Sequence, residues 1–314
     1  MGLSYFRRRG LSLVFAASLI VASSCGVFPL KSVTIGGIAW LSDGRIYYVA
    51  RLDGEPNEIR SVQPDVQPTR QDRTVQGITS TCTPEDYGLR ALSNGAMAVS
   101  VQCLGGATQL IEYNGQSRPW GGELEGWQTA VWNPVTGQGY TSYYNRCSTL
   151  GRLGQDEAIP LSMATATGPI RVDRPVSKMQ CTPDIPDVAW PLPHGQGVDV
   201  FISLPSVGLE GEARRLADWT LYRAEADGVG HAVLDGFVDI RGAMLSGDGQ
   251  TLVVAAKRDG DWALWRVDVA RRSIRMIADG DYGAVSLSPD NKRLAAVLLG
   301  GTKDDQIRVL QLEN

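Results

Sequence analysis

The residues able to do chemistry are few and scattered along the chain. Only two histidines occur, His194 and His231. No Gly-x-Ser-x-Gly run is present to expose a serine nucleophile, and no His-Glu-x-x-His to hold a catalytic zinc. Asp-Gly-Asp occurs at 259–261 and 279–281. A calcium loop needs oxygen ligands at alternating positions over a longer run, so both read as turns. Asp235, Asp239 and Asp281 are the candidate channel acids, and Arg241 is the nearest cation in sequence to Asp239. A carboxylate paired with that guanidinium is the simpler reading. Eight Trp and ten Tyr could stack a ring, but Trp262 and Trp265 fit strand packing better. The set assembles no reaction, so the sequence points away from an enzyme, and neither a metal nor another cofactor is expected. The net charge is −4 with no basic block, which argues against a nucleic-acid partner.

The cysteines carry more information. Arg7, Arg8 and Arg9 precede a short apolar stretch, Leu11 to Ala22, and then Ala22-Ser23-Ser24-Cys25. This is the pattern of a secretory signal, too short for a transmembrane helix. A cysteine directly after small residues resembles the acylation site of a bacterial lipoprotein. That resemblance implies cleavage before Cys25 and a diacyl, palmitate-type anchor on it. Ala22 stands where such signals usually carry Leu. Cys82, Cys103, Cys147 and Cys181 remain. An even number in an exported chain suggests two disulfides, and none has the close spacing of a zinc site.

The elements that must position these residues are strands and turns. The phrase Ser286-Leu-Ser-Pro-Asp-Asn-Lys-Arg-Leu294 reads as strand, tight turn, strand. Weaker copies occur at Ala39-Trp-Leu-Ser-Asp-Gly-Arg45, Ala91-Leu-Ser-Asn-Gly95 and Met244-Leu-Ser-Gly-Asp-Gly-Gln250. Repetition of strand and turn at such spacing is the signature of a β-propeller. Inner strands are expected near 37–42, 89–93, 129–133, 188–192, 243–246 and 284–288, which makes six blades of four antiparallel strands. The chain stops after a third strand in the last blade. Leu30–Ile35 is therefore expected to pair with Gln306–Leu312 and close the ring. The domains are then a signal at 1–24, a tether at 25–29 and a propeller at 30–314. With strands of a blade named A to D outward, all four cysteines fall on the face of the D–A and B–C loops. Three pairings are possible; Cys82–Cys103 and Cys147–Cys181 join the nearest neighbours.

Ser288-Pro-Asp-Asn-Lys-Arg-Leu294 resembles the Ser-Pro-Asp-Gly-Lys-x-Ile repeat of TolB-like propellers. The last two blades and the first carry the match. With the lipoprotein-like signal, the chain is also similar to the propeller part of LpqB-type envelope lipoproteins. The resemblance implies a protein-interaction platform in the cell envelope, anchored to the membrane by its N-terminal lipid and bound to another envelope protein. The alternatives are a glycan- or small-ligand-binding module that uses the central funnel, and a propeller hydrolase or quinone-dependent enzyme. A short tether places the face of the A–B and C–D turns, with Asp43, His194 and Asp290, toward the lipid. The opposite face is then the docking face, with Glu85, Asp86, Tyr87, Trp127, Asp187, Asp239, Arg241 and Tyr282. An insertion at 205–218 with Arg214 and Arg215 joins them.

Overall fold

The computed structural model describes residues 33–51, 57–78, 82–91, 97–103, 108–112, 117–119, 127–133, 135–136, 138–144, 150–152, 162–163, 170–171, 187–195, 197–203, 218–224, 229–301 and 304–312. Among them all regular structure is β-strand. The first meander is β1 (Thr34–Trp40), β2 (Ile46–Arg51), β3 (Glu58–Val62) and β4 (Thr74–Gly77). The second is β5 (Cys82–Ala91), β6 (Met97–Cys103), β7 (Thr108–Glu112) and β8 (Ser117–Pro119). Three strands follow: β9 (Trp127–Trp132), β10 (Gly139–Tyr144) and β11 (Leu150–Arg152). Two short strands, β12 (Ser162–Met163) and β13 (Ile170–Arg171), pair with each other. Next come β14 (Asp187–His194), β15 (Gly197–Ser203), β16 (Trp219–Ala224) and the long β17 (Val229–Leu245). The chain continues through β18 (Thr251–Arg258), β19 (Asp261–Asp268) and β20 (Ser273–Asp279). It finishes with β21 (Tyr282–Leu287), β22 (Arg293–Leu298) and β23 (Gln306–Gln311). All pairings are antiparallel except the contact of β12 with β17.

β17 serves two meanders. Its first half pairs with β16, from Trp219↔Phe237 to Ala224↔Gly230. Its second half pairs with β18, from Val238↔Lys257 to Leu245↔Leu252. The change of partner falls at a bulge between Val238 and Gly242, where Asp239 has φ 50°. Bulges interrupt the opening stretch of four other first strands: Ile35/Ile38 in β1, Pro84/Leu89 in β5, Ala189/Leu192 in β14 and Tyr282/Val285 in β21. Such bulges sharpen the local twist and re-aim side chains at a sheet's end.

A strand with one face on a core and one in solvent is half-buried. Instead β2, β18 and β22 are buried on both faces. In β18, Leu252, Val254 and Ala256 enter one core with β14–β19, while Val253 and Ala255 enter another with β21 and β22. In β22, Leu294 and Ala296 share that second core, and Ala295 and Val297 pack with the first meander. In β2, Ile46 and Tyr48 face the last meander, and Tyr47 and Val49 face β5 and β6. Successive sheets therefore stack face to face, and period-2 alternation sends neighbouring residues into different cores. The first strands lie against one another in a circuit: β1 on β5, β5 on β9, β9 on β14, β14 on β17, β17 on β21, and β21 on β1.

The junction of the first and last sheets differs from the sequence expectation. Thr34 and Ile35 belong to β1 and pair with Arg51 and Ala50 of β2. Among the described residues, β23 pairs only with β22. The two ends meet instead through Asp305, which is 2% exposed. Its N–H donates to the Val33 carbonyl (3.2 Å), and its carboxylate accepts from the N–H of Ile35 (3.0 Å) and Gly300 (2.9 Å). Trp40 N–H donates to Ser286 Oγ at 2.9 Å, and the Gln67 side chain reaches the Ile307 carbonyl at 2.9 Å. Residues 30–32 lie outside the described residues.

The repeated turn has one physical basis. Ser288 Oγ donates to Asp290 (2.5 Å) and accepts from Arg293 N–H (2.9 Å), while Asp290 accepts from Lys292 N–H (3.1 Å). Ser246, Asp248, Gln250 and Thr251 reproduce it, at 2.5, 3.0 and 2.9 Å. Small polar side chains here replace the backbone bonds that the tight turn forgoes. Hydrogen bonding to the serine holds both carboxyls below the usual carboxylate range.

Candidate partner-binding rim

Three of the sequence candidates converge where the fifth and last meanders meet. The bulge in β17 turns Ile240 into the core and Arg241 outward. Gly242 then passes so close to β21 that an added Cβ would stand 2.5 Å from the Gly283 carbonyl oxygen. Only glycine permits that approach. Arg241 pairs with Asp281, and its guanidinium carbon lies 3.8 Å from the centroid of the Trp262 ring. Lys257, opposite Trp262 in the β18–β19 ladder, brings its Nζ to 5.2 Å from the same ring. Two cations over one indole form a cation–π platform. The platform sits at the base of the Arg258–Asp261 hairpin, where Asp259 and Gly260 both have positive φ, 55° and 95°. That is what a two-residue turn matching strand twist requires. Tyr282 is buried beside it, and burial pushes its phenol above the ordinary range. Asp239 is 2% exposed.

Of the three candidate carboxylates, Asp281, forty residues on, pairs with Arg241. Asp235 is exposed, and its carbonyl accepts from Arg258. Glu85, Asp86 and Tyr87 lie in the bulged stretch of β5; Trp127 opens β9 and Asp187 opens β14. These five share the opening ends of first strands with Asp239, Arg241 and Tyr282. Their side chains lie outside the described residues, as do Cys25, Cys147, Cys181, Arg214 and Arg215. Cys82 and Cys103 are direct register partners in the β5–β6 ladder. Composition and spacing do not mark Trp262 or Lys257 as partner-binding residues. The local signal for them is the Asp-Gly hairpin, which fixes what stands on either side of it.

A second charged cluster sits on the opposite face. Asp199, wholly buried, accepts from Arg223 Nε and Nη2 at 3.1 and 2.9 Å and lies 3.1 Å from His194 Nε2. Arg223 also donates to the Gly249 carbonyl. Gly195 N–H donates to Gly247 (2.9 Å), and Asn133 Nδ2 donates to Gly195 (3.1 Å). The network ties the turn after β9, the β14–β16 sheet and the β17–β18 turn together. His194 belongs to the end of β14, not to a free turn. Among the described residues no group of three His, Cys, Asp or Glu is placed to hold a metal.

No protein-family model matches the chain, and no curated protein matches it. Solved structures do. One is the β-propeller domain of Cps50 (Swd1) from Myceliophteria thermophila, 9% identical, TM-score 0.47, covering 89% of this chain and 84% of that one. Another is TolB from Acinetobacter baumannii, 11% identical, TM-score 0.41, covering 89% of this chain and 52% of that one. A prolyl endopeptidase (13% identical, TM-score 0.44) and a puromycin hydrolase (15%, 0.49) match over 90% and 84% of this chain and 42% and 43% of theirs. The chain spans about half or less of the last three. Likenesses this distant carry nothing about activity. The expectation that the chain is not an enzyme is nevertheless withdrawn. Peptidases stand among its structural likenesses, and a scaffold of this kind hosts unrelated functions.

Proposed function

We propose that the chain is a six-bladed β-propeller, exported, acylated at Cys25 and held at a membrane of the cell envelope, where one face docks another envelope protein. The propeller part of the reading is supported by the circuit of first-strand contacts that runs from β1 through β21 and back to β1. Meanders of three and four strands stacked in such a ring leave two faces of loops. One of them bears the Trp262–Arg241–Lys257 platform beside Asp281, whose side chain is 45% exposed. An aromatic ring with cations and a carboxylate at its edge is the composition of an interface anchor, enriched in Trp and Arg. The bond from Asp305 N–H to Val33 runs in the sense that an antiparallel strand ahead of Val33 would continue along β23. Closure by the N-terminal segment remains the proposal, shifted to residues before β1. The signal at 1–24 and the acyl anchor rest on the sequence pattern alone.

The test is site-specific photo-crosslinking in intact envelope. A crosslinker at position 281 should capture a discrete partner, and one at position 290, on the other face, should not. The same partner captured equally from both positions rejects the docking face. Mass spectrometry of the mature N-terminal peptide tests the anchor; an unmodified Cys25 rejects it.

A further inference from the structure

The hairpin between β19 and β20 concentrates positive charge in a chain that is acidic as a whole. Residues 266–275 carry four arginines and one aspartate, a net of +3 against −4 for the full sequence. Arg266, Asp268, Arg271, Ser273, Ile274 and Arg275 line a groove of about 240 Å³. Arg266 and Arg275 are direct cross-strand partners, an arrangement of like charges that disfavours the pairing on its own. The turn between them is fixed. Asp268 accepts from Arg271 N–H (2.9 Å) and pairs with its guanidinium at 3.4 Å, and Arg272 takes φ 52°. Arg271 is 83% exposed. An arginine has five N–H donors in a fork that fits phosphate oxygens, and Arg271 meets Asp268 through Nη1.

The groove's position suggests what fills it. Val269 N–H donates to the Gln250 carbonyl. That bond puts the hairpin beside the Ser246–Thr251 turn, on the face of the A–B turns. In the membrane-anchored reading, the N-terminal closure proposed above would run back along β23 and leave on that same face. The seven residues between Cys25 and Val33 extend over at most about 25 Å. Such a pairing would use most of that length and bring this face to the lipid. Asp43, Asp248 and Asp290 share the face with Lys292. It is therefore not a broadly basic surface, and attraction is confined to the groove.

We propose that this groove binds the phosphate of an anionic phospholipid headgroup, giving the protein a second, orienting membrane contact beside its acyl chain. The inference rests on the anchored-propeller reading for its choice of ligand.

The test uses the full chain in dodecylmaltoside micelles, titrated with phosphatidylglycerol-doped micelles and read by thermophoresis. Phosphatidylglycerol should bind and phosphatidylcholine should not. R271A/R275A should weaken binding about 25-fold, roughly five-fold per guanidinium. D268N, which keeps the turn's acceptor but removes the charge, should tighten it about five-fold, a gain that misfolding cannot mimic. Unchanged affinity in R271A/R275A overturns the proposal. So does glycerol phosphate binding as tightly as the lipid, which would make the ligand a soluble anion. C25A separates the two readings. If it loses phosphatidylglycerol, the signal belonged to the anchor and the groove proposal falls. If it binds while the parent's Cys25 proves unmodified, the groove stands and the anchor falls.

Discussion

Asp199 should be the most consequential buried charge among the described residues. Replacing it with Asn keeps the shape and opens no cavity, but removes the charge from a carboxylate that holds Arg223 at two points and His194 at a third. Breaking a buried ion pair costs about 3–5 kcal/mol. Arg223 is not fully stranded, because its side chain is 24% exposed and it keeps the Gly249 carbonyl. The lower end, about 3 kcal/mol, is therefore expected. In a fold of this size that corresponds to a drop of about 6 °C in Tm. Calorimetry of D199N, R223Q and the double variant gives the coupling directly. The double variant should melt close to either single one, since each removes the same interaction. Amides of Gly195 and Gly249 should exchange faster, because both loops hang on the network. Melting of D199N within 1 °C of the parent, or strict additivity of the two changes, would refute the reasoning.

G242A should lose about 2–3 kcal/mol by forcing β17 from β21, whereas G247A, whose added Cβ meets nothing within 4 Å, should melt like the parent; equal melting of both variants contradicts the close approach. S246A should be less stable than the parent chiefly above about pH 4. The Asp248 carboxyl is depressed in the fold, so its contribution is present above its unfolded pKa and is lost as pH falls through the folded one; a gap in urea midpoint that does not narrow between pH 7 and pH 3 counts against this. Non-reducing peptide mapping should recover Cys82 linked to Cys103, whose backbones face each other in register, and Cys147 linked to Cys181; a Cys103–Cys147 peptide rejects the pairing.

Local turn chemistry is legible in the sequence. Ser288, Asp290 and their copies at Ser246 and Asp248 encode a hydrogen-bond pattern within six residues, and the structure uses it. Strand order follows, because meander strands pair with their neighbours in sequence. Non-local pairing is not legible. Asp281 is one of three carboxylates offered to Arg241 and nothing local singles it out, and nothing near Asp199 announces Arg223. The sequence pattern starts the second meander's first strand near Leu89, whereas β5 begins at Cys82. Pro84 argues for a loop, and a bulge accommodates it in the strand instead. Thr34 and Ile35 look like any edge strand, and only the register with Arg51 and Ala50 assigns them inward.

β17 has a mechanical consequence. One unbroken segment is the outermost strand of one sheet and the innermost of the next, so the two sheets share a backbone as well as a core. Load applied to the C-terminus can unzip β23, β22 and β21 strand by strand. It then meets β20, the outer edge of a sheet whose innermost strand, β17, is also held by β16. The two sheets should yield together as one force-bearing unit, with the kink at Asp239 as the place where slack can enter. A pulling trace should therefore contain one rip spanning Asp187 to Asp279 rather than two separate blade-sized steps.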